Sequence, residues 1–191
     1  MSVAAAKPSR RAQILAAAAE RFARYGFHGV SIDDIGAAVG ISGPALYRHF
    51  RSKEAMLAEM LTGISSKLLL GGQQRVARSR DPREALDQLV RWHVEFALTE
   101  PALITVQLRD LDSLPEPEQQ KVRELQRNYV RVWVDVLRQV RPELPRDTAR
   151  AAVHAVFGLI NSTPFSGRLE TPAMSELLHR MAMGALAEAD C

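Results

Sequence analysis

Helical periodicity, punctuated by capping residues, prolines and glycines, is the feature that most restricts this chain. Apolar residues recur at three- and four-residue spacing from end to end, and the alternating β-branched or aromatic runs that form strands do not occur. The first predicted helix runs from about Ser9 to Tyr25, with Ile14, Leu15, Ala18, Phe22 and Tyr25 on one face, and Gly26 ends it. Ser31 reads as the N-cap of a short helix whose first turn holds Asp33 and Asp34, facing the positive end of the helix dipole. That helix stops at Gly40. Ser42 caps the next, which carries Leu46, Tyr47 and Phe50, and Ser52 caps a long one reaching about Arg78. Asp81 as cap, Pro82 at the first helical position and Glu84 form a strong start signal for a helix with Leu86, Leu89, Val90, His93, Phe96 and Ala97 inward. Pro101 opens a short helix ending near Leu111. Pro115 and Pro117 open a long one with Val122, Leu125, Tyr129, Trp133, Val136 and Val140 inward, and Pro142 and Pro145 break it. The last two helices run from about Arg146 to Asn161 and from Pro172 to Ala189, separated by a loop containing Pro164 and Gly167. The pattern predicts an all-α fold of about nine helices.

Charge is distributed unevenly over this scaffold. Residues 1–53 hold eight Lys/Arg against three acids, a net of +5, whereas the remaining 17 bases and 19 acids give −2. A basic front and a slightly acidic remainder point to an anionic partner at one end. Arginines number 21 and lysines 4, a bias that accompanies GC-rich codon usage in bacteria. The single cysteine, Cys191, rules out an internal disulfide or a thiolate zinc cluster and favours a reducing compartment. No apolar run approaches the roughly 20 residues that span a bilayer, and the alanine-rich start quickly meets Glu20 and Arg21. A cytoplasmic protein with no membrane contact is expected.

The stretch Ser31 to Lys53, SIDDIGAAVGISGPALYRHFRSK, carries the functional signal. Two short helices meet at a tight turn around Gly40. Ile35, Val39, Ile41 and Leu46 are spaced so that each helix buries one face on the other, and Gly36 is small enough for a close crossing. This is helix-turn-helix spacing: the first helix supports, and the second is free to enter a DNA major groove. Ser42, Gly43, Pro44 and Ala45 are small, so the second helix can approach bases and phosphates closely. Tyr47, Arg48 and His49 follow, and Lys53 starts the next helix.

Residues Phe22 to Leu57 resemble the N-terminal domain of the TetR family of bacterial repressors. The likeness rests on Tyr25-Gly26-Phe27, Ser31-Ile32, Ile35, Gly40, Leu46-Tyr47, His49-Phe50 and Lys53-Glu54, and it extends from about Arg10 to Met60. Beyond that the likeness is one of layout only. The resemblance implies a homodimer that places two recognition helices, here about Gly43 to His49, in successive major grooves of a palindromic double-stranded DNA operator. It implies that Ser31, Tyr47, His49 and Lys53 hold phosphates and that Ser42, Gly43, Pro44, Ala45 and Arg48 face the groove. Many members carry a polar or charged residue where this chain has Gly43 and a threonine where it has Ala45. Direct readout is therefore thin, leaving more to Arg48, the N-terminal arm or DNA shape. Lys7, Arg10 and Arg11 would reach a minor groove or form a solvated tail. The implied division is a flexible basic arm over residues 1–8, the helix-turn-helix domain over 9–54 and a ligand-binding and dimerisation domain over 55–191.

Two surfaces of the second half have their own logic. Ala151, Ala155, Gly158 and Ser162 form a stripe of small residues, and the last helix offers Met174, Leu177, Leu178, Met181 and Leu186. This is either ordinary intrachain packing or, as the resemblance favours, a four-helix dimer interface that includes Leu177 and Met181. Trp92, His93, Phe96, Gln107, Arg109, Tyr129 and Trp133 combine large aromatics with a few polar groups, as a small-molecule pocket requires, although aromatics at helical spacing also build plain core. The segment Trp133-Val134-Asp135-Val136-Leu137 resembles actinobacterial members that control sterol or fatty-acid breakdown. The first effector class is therefore a small hydrophobic one (acyl-CoA, fatty acid or sterol-like), with Arg109 or His154 meeting a carboxylate or phosphate.

The expected activity is that of a ligand-responsive repressor released from DNA by its effector. The alternative is a regulator of the same type that activates, or that responds to an antibiotic or efflux substrate. An enzyme is not expected. Gly40-Ile41-Ser42-Gly43-Pro44 mimics a nucleophile elbow, but Pro44 replaces the final glycine and no strand precedes it. His28, His49, His93, His154 and His179 show no metal-ligand spacing. A phosphate-cradling glycine loop is missing, and neither cofactor nor metal is expected. A third class, a protein-interaction module using the terminal helices, predicts no self-association without its partner.

Overall fold

The computed structural model describes residues 9–166 and 169–188. Among them are no strands, and the helices follow in the order α1 (Arg10–Tyr25), α2 (Ile32–Ala38), α3 (Gly43–Leu46), α4 (Lys53–Arg78), α5 (Pro82–Thr99), α6 (Pro101–Asp110), α7 (Glu116–Val140), α8 (Arg146–Ile160), α9 (Thr163–Ser166) and α10 (Thr171–Ala187). A 3-10 turn, Leu111–Ser113, joins α6 to α7. All nine anticipated helices are present. The additional α9 is a single turn inside the expected loop around Pro164, a residue tolerated in a first helical turn. The arm expected over residues 1–8, with Lys7, lies outside the described residues, as do Gly167, Ala189 and Cys191.

Capping chemistry explains most boundaries. The Ser9 hydroxyl accepts from Ala12 N at 3.2 Å, Ser52 from Ala55 N at 3.1 Å, and the Asp81 carboxylate from Glu84 N at 2.9 Å. Glu84 reaches back one residue further than expected, accepting from Arg80 N at 2.7 Å and from the Arg80 guanidinium. Pro101, Pro117 and Pro172 occupy first turns.

The long helix α4 is the spine. It packs most extensively on α7 and α5, while α10 packs on α5 and α8, and α8 packs on α7. Its buried face comprises Met56, Leu57, Met60, Leu61, Ile64, Leu68 and Leu69, continuous with Trp133, Leu137, Leu89 and Val90. At the other end α1, α2 and α3 enclose Ile14, Phe22, Phe27, Ile35, Leu46 and Phe50. Tyr25, expected on the buried face of α1, is instead exposed at the end of the helix, where the chain turns at Gly26, with the Arg24 guanidinium 5.2 Å from its ring centroid. The N-terminal helix-turn-helix and the C-terminal helical domain meet where α1 packs on α6. No helix among the described residues is long and apolar enough to cross a membrane.

Candidate DNA-reading head and effector cavity

The helix-turn-helix is assembled by short-range chemistry. Ser31 and Asp34 form a reciprocal capping box: Asp34 N donates to Ser31 Oγ at 3.1 Å, and Ser31 N donates to Asp34 Oδ2 at 2.8 Å. The second Ser31 contact, Oγ to Asp34 Oδ2 at 2.6 Å, helps hold the Asp34 carboxyl below its ordinary range. Gly40 adopts φ +70°, the left-handed turn that glycine favours. Gly36 is a point of close backbone approach: a β-carbon there would lie 2.6 Å from the Ile41 carbonyl oxygen. Ser42 caps α3, its hydroxyl accepting from Ala45 N at 3.4 Å, and buried Leu46 and Phe50 anchor the far side.

This leaves Ser31, Ser42, Pro44, Tyr47 and Arg48 exposed on one end of the molecule, with Ala45 and His49 half-buried. Tyr47 is 56% exposed. Arg48 has no ion pair among the described residues. Regular α-helix ends at Leu46, and residues 47–49 continue as a turn, so the reading helix is shorter than the expected Gly43 to His49. Gly43 departs from its expected place in the groove-facing set. It is buried toward α2, where a β-carbon would meet the Asp33 carboxylate.

Lys53 also has a different task. Its ammonium donates to the carbonyls of Phe27 and Val30, both at 2.8 Å, and lies 4.4 Å from the Phe27 ring centroid. Two of its three donors thus tie the start of α4 to the α1–α2 loop, leaving one for an external anion. Arg10 and Arg11, considered for a minor groove, stay exposed but are engaged by partners within the chain. Arg10 donates to Val39 O. Arg11 pairs with Glu59, donates to His49 O and covers the Phe50 ring.

The second feature is a cavity of about 740 Å³ bounded by α4, α5, α6, α7 and α8. Four of the seven residues expected to line a pocket do so: His93, Gln107, Arg109 and Tyr129. His93 is buried and stacked 4.4 Å from Phe157 at 6° between planes. Its Nε2 lies 3.2 Å from Asn161 Oδ1 and its Nδ1 3.3 Å from the Tyr129 hydroxyl. An amide oxygen only accepts, so Nε2–H donates to Asn161 and Nδ1 accepts from Tyr129. Burial pushes the imidazole down to about 4, against the opposing Asn161 bond, so the ring is neutral. Burial likewise raises Tyr129 above the ordinary phenol range.

The other three aromatics are placed differently. Trp133 is fully buried behind the wall, edge-on to His93 and Phe157. Trp92 lies one residue from His93, about 100° around the helix, and faces away from the cavity. Its Nε1 donates to Leu68 O at 3.2 Å, Arg75 covers its ring at 3.9 Å, and its indole occupies the space that a β-carbon at Gly71 would need. Phe96 is buried in the core beside Lys67.

Sequence reasoning missed Ser65, Asn161, Phe157 and Phe165. Ser65 is 3% exposed, lines the cavity, and its hydroxyl has no partner among the described residues. Gly158 and Ser162, read as part of the small-residue stripe, line the same cavity, so their small size also makes room inside. The rest of that stripe is open: Ala151 and Ala155 are exposed, Leu177 is half-buried and Met181 exposed.

One cavity residue reaches the reading head directly. The Arg109 guanidinium donates to the carbonyls of Phe22 and Ala23 at the end of α1 and is held by Asp110, with Nε to Oδ1 at 3.0 Å. Two further contacts bridge the same junction: Ser113 Oγ to His28 Nε2 at 3.3 Å and Arg51 to Glu118 at 3.8 Å.

Comparison with known proteins matches this geometry. The profile of the bacterial regulatory proteins of the tetR family matches residues 14–60, and that of the tetracyclin repressor-like C-terminal domain matches residues 79–186. The transcriptional repressor KstR2 of Mycobacterium tuberculosis is 30% identical over 146 residues, covering 73% of this chain and 73% of its own. The structure of that ketosteroid transcriptional regulator superposes with a TM-score of 0.83 at 26% identity, covering 97% of each chain. A TetR-family transcriptional regulator from Bordetella parapertussis superposes with a TM-score of 0.83 at 32% identity, covering 93% of this chain and 95% of that one.

Proposed function

This chain belongs to the tetR family of bacterial regulatory proteins, and from that membership we propose that it is a ligand-responsive transcriptional repressor that binds a palindromic operator as a homodimer. Such a protein works in the bacterial cytoplasm, where the chromosome is. Arg48, Tyr47, Pro44 and Ser42 meet the major groove and its flanking phosphates, and Ser31 meets a phosphate at the start of α2. Lys53 contributes one donor while its other two hold the α1–α2 loop.

The effector enters the cavity between α4 and α8. Its apolar body lies against Phe157 and Tyr129, and a polar group on it satisfies the Ser65 hydroxyl. A ring-bearing or acyl skeleton suits these walls, and the similarity to a ketosteroid regulator supports that class.

The observation that carries the proposal is Arg109, which lines the cavity and holds the last carbonyls of α1. An occupant that displaces or recruits this guanidinium changes where α1, and with it α2 and α3, sits against α6. DNA selects the spacing between two reading heads that fits one helical turn, about 34–36 Å. An effector that favours another spacing weakens DNA binding by its differential affinity for the two states.

The test is fluorescence anisotropy on DNA upstream of the protein's own gene, titrated with steroid-derived acids, fatty acids and their thioesters. Specific binding relieved by one of these compounds is expected. The variant Arg109→Leu is expected to bind both DNA and effector while the effector-induced loss of DNA affinity shrinks from the usual 5- to 150-fold range to about twofold or less. No specific binding to that or neighbouring promoter DNA at moderate salt would overturn the proposal.

A further inference from the structure

Three bases of the N-terminal head donate to that head's own backbone: Lys53 to the α1–α2 loop, Arg10 to Val39 O and Arg11 to His49 O. The last two carbonyls hold matching positions. Val39 closes α2, and His49 closes the turn that follows α3. Consecutive residues at the start of α1 thus cover the C-terminal end of each helix of the helix-turn-helix. Unpaired carbonyls there carry partial negative charge, and a cation is favourable.

Arg11 does more than cap, because all three of its guanidinium nitrogens are engaged. Nε and Nη2 hold the two oxygens of the Glu59 carboxylate on α4, with Nε to Oε1 at 2.8 Å, while Nη1 donates to His49 O. The guanidinium carbon lies 4.1 Å from the centroid of the Phe50 ring. One planar group, rigid by its fork geometry, therefore joins α1, α4 and the turn after α3. Arg10 adds a tie to the α2–α3 turn and also donates to Gln13 Oε1 at 3.0 Å.

The turn after α3 depends on such outside support. α3 has four residues, and a helix that short has little stability of its own. Beyond it, Arg48 N donates to Ala45 O at 3.3 Å, His49 N to Leu46 O at 2.9 Å and Phe50 N to Leu46 O at 3.1 Å. Tyr47 and Arg48 lie between Leu46 and the carbonyl that Arg11 holds, so fixing His49 O limits the directions in which both side chains leave the backbone. Arg11 and Glu59 themselves stay partly open to solvent, and a pair so exposed adds little to overall stability. Its consequence is therefore expected in recognition rather than in folding.

We propose that Arg11, oriented by Glu59, is a positioning residue for DNA reading: it sets Tyr47 and Arg48 against α4 and contacts no phosphate itself. This rests on the reading of α3 and its following turn as the DNA-reading part. A role as a phosphate contact screened by Glu59 makes opposite predictions.

The experiment is fluorescence anisotropy of the full chain on a duplex from upstream of its gene and on a shuffled duplex of the same length, over a range of salt. Wild type, Arg11→Gln, Glu59→Gln and the double variant are compared. By charge alone, removing an acid beside a DNA-binding head strengthens binding. Positioning predicts the reverse: each single variant loses about tenfold on the upstream duplex, and Glu59→Gln changes by about twofold or less on the shuffled one. The double variant is expected to match Arg11→Gln, because the two side chains act as one unit. Arg11→Gln should keep the wild-type salt slope, whereas a lost phosphate contact lowers it by about one. Tighter binding by Glu59→Gln, an unchanged affinity in either single variant, or a slope lowered by about one in Arg11→Gln would overturn the proposal. A melting temperature that falls in step with affinity would make the pair structural only and overturn it as well. A wild type that does not distinguish the two duplexes would remove the reading-head assignment too. One that does, with unaffected variants, removes the positioning role alone.

Discussion

His93 is held neutral by its surroundings. Aromatic rings enclose it, Asn161 takes its one N–H and Tyr129 donates to its other nitrogen. An unfolded histidine titrates near 6.5, whereas this one is lowered to about 4. Between those values the unfolded chain binds the extra proton and the folded one does not, so stability falls as pH drops from about 6.5 toward 4. The shift corresponds to roughly 3 kcal/mol across that window. Urea unfolding of wild type and His93→Gln at pH 7 and pH 4.5 checks this: the wild type should lose more than the variant, and equal losses would contradict it. Individual side chains were the least legible part of the sequence. Trp92 and His93 are adjacent, yet one faces the core of α4 and the other the cavity, and only the register of α5 on α4 decides which. Lys53 reads as a surface cation. Nothing local reveals that the Phe27 and Val30 carbonyls converge on it.

Elements were far more legible, because their determinants are local. Ser31, Ser42, Ser52 and Asp81 each cap the helix they were expected to cap, and Ser9, read only as the approximate start of the first helix, caps that one. What remained hidden was α9, whose single turn has no periodicity to detect, and the early end of regular helix at Leu46. The helix-turn-helix itself depends on the Gly36 crossing. Gly36→Val should overpack it and cost about 1–3 kcal/mol, with a matching fall in melting temperature and in DNA affinity. Gly63→Ala is the control. That glycine is exposed within α4 with open space around its missing β-carbon, so alanine should stabilise by about 0.5–1 kcal/mol. Thermal melts of both variants separate local crowding from general intolerance of change. An unchanged melt for Gly36→Val would show that α2 and α3 adjust freely.

At the scale of the whole molecule, the proposed repressor needs two copies. The small residues Ala151 and Ala155 and the exposed Met181 present a low, apolar face on α8 and α10 that a second copy would cover. The cavity adjoins that face through Gly158 and Ser162, so pairing and effector binding are expected to influence each other. Met181→Arg should shift sedimentation from dimer to monomer and weaken operator binding by at least about tenfold, since two half-sites then bind independently. A monomeric wild type would contradict the pairing. The all-helical plan was legible from periodicity. The junction was not, because Arg109 and its α1 carbonyls are 86 and 87 residues apart in sequence.

The most direct measurement is a hydroxyl-radical footprint of wild type and Arg48→Ala on DNA upstream of the gene at moderate salt. Two protected patches about one helical turn apart, related by a palindrome and lost in the variant, are predicted. Uniform cleavage with the wild type, or a footprint that the loss of Arg48 leaves intact, would contradict the assignment of α3 and its following turn as the part that reads DNA.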